Sequence, residues 1–198
     1  TRRSSDLSAL PVSWSVGTGS YNSATSCYSG TRSLNIPGDA TTKKQAYQTV
    51  VLYGSKDDTY ILSGWAKADA VSSKNHADAA FELGVLVSYT GSDGSTFNEI
   101  KTSAKFNTAV SGWQYTSVAI PIASKDHPEA TPRNMTVYCR YAYQANNAYF
   151  DNIQLIKDVA SSYIYDSEGN VTSVSANAEQ KNNMTYDGEG ITGDGSLC

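Results

Sequence analysis

The sequence predicts an all-β protein: a two-sheet antiparallel jelly-roll β-sandwich with a short C-terminal β-hairpin repeat tail. Three observations predict it. Over residues 33–157, apolar and polar side chains alternate at the period of half-buried strands. The alternating runs are short, and Gly, Pro, Asn, Asp and Ser punctuate them. Finally, 14 Tyr and 3 Trp stand against only 4 Phe. Tyr suits a pleated, half-buried surface because its ring packs while its hydroxyl reaches water.

Eight strands follow in order: 33–36, 46–52, 59–68, 81–90, 97–104, 113–122, 135–143 and 149–157. Pro37-Gly38-Asp39, Gly54-Ser55-Lys56-Asp57-Asp58, Gly91-Ser92-Asp93-Gly94, Ser111-Gly112 and Asn146-Asn147 supply turn chemistry between them. The stretch 69–80 reads as a loop. Alternation assigns the faces. In the third strand Tyr60, Leu62, Gly64 and Ala66 share one side. In the fourth, Phe81, Leu83, Val85, Val87 and Tyr89 read as buried, with Glu82, Gly84, Leu86 and Ser88 outside. In the seventh, Val137, Cys139 and Tyr141 oppose Tyr138, Arg140 and Ala142.

The 198 residues suffice for one sizeable core, or for one domain with an appendage. A net charge of −4 speaks against nucleic acid or an anionic membrane bound through bulk charge. No apolar run reaches the ~20 residues that span a bilayer. The opening Thr1-Arg2-Arg3-Ser4-Ser5 has no apolar leader and reads as a mature or excised chain. Cys27, Cys139 and Cys198 form no CxxC and no Cys/His cluster, so zinc is not expected. Cys27 and Cys139 pair only if their strands meet; free thiols are the other reading.

Composition shifts after residue 158, which divides the chain into domains 1–158 and 159–198. The tail holds six acids against one base, and so carries the acidity of the chain. It also echoes itself: Tyr165-Asp166-Ser167-Glu168-Gly169-Asn170 is followed 21 residues on by Tyr186-Asp187-Gly188-Glu189-Gly190. A repeat of that period implies stacked units. With Val171-Thr172-Ser173-Val174, this pattern resembles the YD-repeat (Rhs) family of large bacterial cell-surface and secreted proteins. The second unit degrades over 190–195, which reads as truncation with partial loss of order.

The body, from about Trp14 to Lys157, resembles the jelly-roll carbohydrate-binding modules of the galactose-binding-like sandwich type. Four pieces carry the resemblance in order: residues 29–36 (SGTRSLNI), 60–68 (YILSGWAKA), 111–114 (SGWQ) and 148–155 (AYFDNIQL). It implies non-catalytic binding of a poly- or oligosaccharide by a secreted or cell-wall-associated protein. The other partner implied is the remainder of a larger YD-repeat polypeptide. It also implies a structural calcium, with a carboxylate oxygen from Asp151 and a backbone carbonyl from Thr31. In jelly-roll order the second, fourth, fifth and seventh strands form one sheet, whose outer face presents Tyr47, Thr49, Glu82, Leu86, Tyr138 and Arg140. Tyr47, Glu82, Tyr138 and Arg140 are the expected sugar contacts: two rings for stacking, a bidentate donor and an acceptor. Trp65 and Tyr115 fall on the opposite sheet and are expected to pack under a loop or the N-terminal segment. The alternative reading is a structural spacer or protein-interaction domain of a YD-repeat shell, with no glycan site.

Catalysis is not expected. A glycosidase needs two carboxylates about 5 or 6.5–9.5 Å apart. Glu82 and Glu99, on adjacent strands, lack surroundings that mark an acid–base pair. His76 and His127 belong to no nucleophile motif.

Overall fold

The computed structural model describes residues 14–17, 22–24, 26–69, 76–158, 162–165, 171–175, 184–186 and 191–192. The chain forms two compact units, Thr1–Lys157 and Asp158–Cys198. Among the described residues nine strands build the first: β1 Ser15–Val16, β2 Asn22–Ala24, β3 Ser33–Val51, β4 Thr59–Ala68, β5 Ala80–Thr90, β6 Thr96–Ile100, β7 Ala104–Lys105, β8 Gln114–Pro121 and β9 Thr131–Asp158. Among the described residues there is no helix.

Two strands are too long to stay straight. β3 has 19 residues and β9 has 28. At about 3.3 Å per residue they would reach roughly 60 and 90 Å. A unit of ~150 residues has a radius of gyration of only about 15 Å. Both therefore bend, and each serves both layers. The front layer runs β1, the second half of β3, the first half of β9, β5, then β6 and β7 along one edge. The back layer runs β2, the first half of β3, the second half of β9, β4 and β8. Where β4 meets β9, Asp69 N–H donates to the Asn147 carbonyl at 2.9 Å. One antiparallel network thus folds over on itself as a jelly-roll sandwich.

Here the structure corrects the sequence reading. Segments 33–36 and 46–52 are one strand, and so are 135–143 and 149–157. The Gly, Pro and Asn residues between them bend a ladder instead of ending it. Register shifts fall between Pro37 and Asp39 and between Asp39 and Lys43. Opposite them Tyr143 and Asn146 take the left-handed conformation, with φ of 53° and 67°. A β-carbon on Gly38 would collide with the carbonyls of Gln144 and Asn146, so only glycine lets the bent ribbons approach this closely. Asp39 holds the bend by accepting from Thr41 N–H at 2.8 Å, Thr41 Oγ1 at 2.7 Å and Thr42 Oγ1 at 3.1 Å. The predicted strand 97–104 is likewise two, β6 and β7.

The faces follow the alternation. Phe81, Leu83, Val85, Val87 and Tyr89 of β5 are buried, as are Val137, Cys139 and Tyr141 of β9. They meet Leu62, Ala66, Ile36 and Phe150 of the back layer. Phe81 contacts Phe150 edge-on at 5.7 Å. Cys27 and Cys139 are free thiols, and burial pushes the Cys139 thiol pKa far above its ordinary value.

The described residues of the second unit form a four-stranded antiparallel meander: β10 Ser162–Tyr165, β11 Val171–Ser175, β12 Met184–Tyr186 and β13 Ile191–Thr192. Tyr165 closes β10 and Tyr186 closes β12, so each Tyr of the echo ends the first strand of a hairpin. The expected loss of order over 190–195 lies outside the described residues, apart from β13.

Candidate functional site

Cross-strand register arranges the outer front face in three rows. The first is Gln45–Arg140–Glu82, with Lys105 beyond. The second is Ser15–Tyr47–Tyr138–Gly84. The third is Thr49–Thr136–Leu86–Ile100. Residues directly opposite in an antiparallel pair lie close enough for their side chains to touch. All six residues expected on this face are there.

The rows are knit together. The Tyr47 and Tyr138 rings lie 5.8 Å apart at 44°. The Arg140 guanidinium sits 5.3 Å from the Tyr138 ring centroid. Its Nη1 donates to Glu82 Oε1 at 2.6 Å, and its Nε donates to Gln45 Oε1 at 3.4 Å. Gly84 makes room for it. A β-carbon there would lie 3.4 Å from Cζ, Nη1 and Nη2 alike, so the guanidinium plane covers the bare glycine. Ser103 Oγ donates to Glu82 Oε2 at 2.7 Å. Glu82 is therefore engaged at both oxygens and only 7% exposed. It orients Arg140; the open acceptor expected from sequence is spoken for. Burial raises the Tyr138 pKa, partly offset by Arg140, so the phenol stays protonated at neutral pH.

Glu82 and Glu99 do not face each other. Glu99 pairs with Val87, whose side chain is buried in the core, whereas Glu82 lies on the outer face, five residues along β5. Glu99 accepts from Lys101 Nζ at 2.8 Å and also from Ser124 Oγ. Desolvation pushes its pKa up, but these bonds and the Lys125 N–H outweigh it and leave the net value lowered. A carboxyl held ionised is a poor general acid.

Asp151 is 1% exposed. Its Oδ2 accepts from Tyr28 N–H at 2.8 Å and Ser29 N–H at 3.1 Å, and its Oδ1 from Asn152 N–H at 2.8 Å. Asn152 itself takes a φ of 48°, in the left-handed region. Calcium wants six to eight oxygens. Among the described residues no three acidic, His or Cys side chains cluster, and three N–H groups already point at this carboxylate. The arrangement fits an amide clamp.

On the outer back face, Tyr28 stacks on Trp65 at 3.7 Å and 12°. Trp65 is thus covered by a loop, as expected. Tyr115, 5.5 Å from Trp65, is instead 55% exposed. Tyr28 was missed because loop residues follow no period, and Trp113, read from sequence as the first residue of a strand, precedes β8 and meets Tyr28 edge-on at 6.0 Å.

No family profile matches the chain, and no curated protein matches it. Solved structures do. The CBM22-1 xylan-binding domain of Xyn10C from Paenibacillus barcinonensis superposes with a TM-score of 0.50 at 16% identity, over 78% of this chain and 91% of that one. The CBM22-1–CBM22-2 tandem of the same protein gives 0.51 at 13%, over 79% and 43%. The enzymatically active domain of tailspike protein 4 from bacteriophage CBA120 gives 0.50 at 9%, over 79% and 21%. At such identities the likeness is one of fold, and the chain shares the β-sandwich architecture of these carbohydrate-binding modules.

Proposed function

We propose that the first unit is a non-catalytic carbohydrate-binding module whose site is the outer front face. The observation that carries this reading is the Tyr47–Tyr138 pair beside a guanidinium fixed over Gly84. Pyranose rings present an apolar C–H face that stacks on aromatic rings, and hydroxyls that pair with planar donors. Arg140 spends two of its five N–H groups on Glu82 and Gln45. The likeness to xylan-binding domains supports a β-linked polysaccharide as ligand. In the same reading the tail is a YD-repeat unit, and the chain is part of a larger secreted or cell-wall-associated protein.

Affinity electrophoresis through gels containing soluble xylan, mixed-linkage glucan or galactomannan tests the reading. Retardation by at least one polysaccharide is expected, and a weaker retardation in Tyr138→Ala. Equal mobility in every gel, for a chain that melts cooperatively, rejects glycan binding and leaves the spacer role.

A further inference from the structure

We propose that the back face carries a second saccharide-contact site, built on Tyr28, Trp65 and Trp113, for one pyranose ring of a neutral polysaccharide. The proposal rests on the carbohydrate-binding reading of the module but uses none of the front-face residues.

Three features converge on it. The first is an aromatic surface with a face turned outward. Trp65 takes one side of the Tyr28 ring, and Tyr28 remains 44% exposed. Trp113 closes on it edge-first, and Tyr115 extends the strip along β8.

The second is preorganisation. Tyr28 belongs to a loop, and an exposed loop ring would ordinarily lose rotational freedom on binding. Here the buried Asp151 holds the backbone N–H groups of both Tyr28 and Ser29. Asn152 Nδ2 donates to Ser29 Oγ at 3.1 Å. The ring is thus fixed before any ligand arrives, which lowers the cost of binding.

The third is a polar border on one side of the strip. Lys67 Nζ lies 5.7 Å from the Trp113 ring centroid and 5.0 Å from that of Tyr149. Tyr149 Oη and Asn147 Nδ2 both donate to Asp69 Oδ2, at 3.1 and 3.2 Å. A ring strip that runs into an ammonium, an amide and a carboxylate matches a ligand with an apolar face and a hydroxyl edge. A protein partner would favour a broader apolar surface without charges set into it.

The test uses tryptophan emission. The chain has three Trp residues. In a Trp14→Phe background the two that remain, Trp65 and Trp113, both belong to this site, so emission reports it alone. The full chain is titrated with xylohexaose, cellohexaose and mannohexaose, with calorimetry in parallel. At least one sugar is expected to shift emission saturably. Tyr28→Ala should weaken that isotherm at least tenfold, Tyr28→Phe should stay within twofold, and Tyr138→Ala should leave it unchanged. Tyr115→Ala, at a mostly exposed ring, repeats the test if Tyr28→Ala melts without cooperativity, and should weaken binding severalfold. Emission unmoved by all three sugars overturns the second site. If calorimetric binding then persists and is lost in Tyr138→Ala, the front-face reading survives alone. An emission shift abolished by Tyr138→Ala and untouched by Tyr28→Ala and Tyr115→Ala also overturns the proposal.

Discussion

The front and back faces of the sandwich both display tyrosines, but they hold them by different means. On the front, Tyr47, Tyr138, Arg140 and Glu82 stand on paired strands, and the ladder register sets their spacing. On the back, Tyr28 comes from a loop, and one buried carboxylate fixes it. A face built on strands survives the loss of any one contact, whereas a face built on a loop depends on its anchor. That difference can be broken experimentally from either side.

The largest expected effect is at the anchor. Asp151→Asn turns an amide donor toward N–H groups that now share a carboxylate. Buried unsatisfied donors cost about 1–3 kcal/mol each, so a loss of about 3 kcal/mol is expected, or a melting midpoint lower by roughly 10 °C. Calorimetry checks this. Addition of EDTA to the unmodified chain should leave the midpoint in place; a fall of several degrees would show a bound cation instead.

Next comes the Arg140–Glu82 pair, whose side chains are 18% and 10% exposed. Arg140→Met strands a mostly buried carboxylate and should cost about 2–3 kcal/mol in urea unfolding. Adding Glu82→Leu should recover most of that stability. If the double substitution is no better than the single one, the pair is not coupled.

A smaller effect belongs to Gly84. Gly84→Val fills the place where the guanidinium lies. Stability should fall by about 1–2 kcal/mol, while saccharide affinity falls about tenfold, a loss of roughly 1.4 kcal/mol. Titration of both chains with the polysaccharide that retards the native protein reads it. Unchanged affinity would remove Arg140 from the site.

The smallest effect is the response to acid. Asp39 and Glu99 have pKa values lowered from 3.8 and 4.5, Asp39 chiefly by its bonds from Thr41, and Glu99 by those from Lys101 and Ser124 against its desolvation. A carboxylate with a lowered folded pKa adds stability above its unfolded value and loses it as pH falls through the folded value. The melting midpoint should therefore be flat above about pH 5 in this respect and decline below pH 4.5. Glu99→Gln should make the decline shallower.

The same comparison explains what the sequence disclosed. Period-two alternation placed all six front-face residues, because strand partners impose the same parity on one another. It failed at Pro37-Gly38-Asp39 and Asn146-Asn147, where residues that favour turns also suit bulges. Only the opposing strand, with Tyr143 and Asn146 at positive φ, tells the two apart. The burial of Glu82 was hidden because Ser103 and Arg140 lie 21 and 58 residues away. Tyr28 was hidden because its anchor lies 123 residues on.

The account stands most directly on whether the front face takes a sugar. Isothermal titration of the native chain, of Tyr138→Ala and of Tyr28→Ala/Tyr138→Ala with xylohexaose, cellohexaose and mannohexaose decides it. Saturable heat with at least one hexasaccharide, reduced in Tyr138→Ala to the part that the back face contributes and lost entirely in Tyr28→Ala/Tyr138→Ala, at an unchanged Tyr138→Ala melting midpoint, is the predicted result. Heat that is identical in the native chain and Tyr138→Ala, or absent from both, would contradict it.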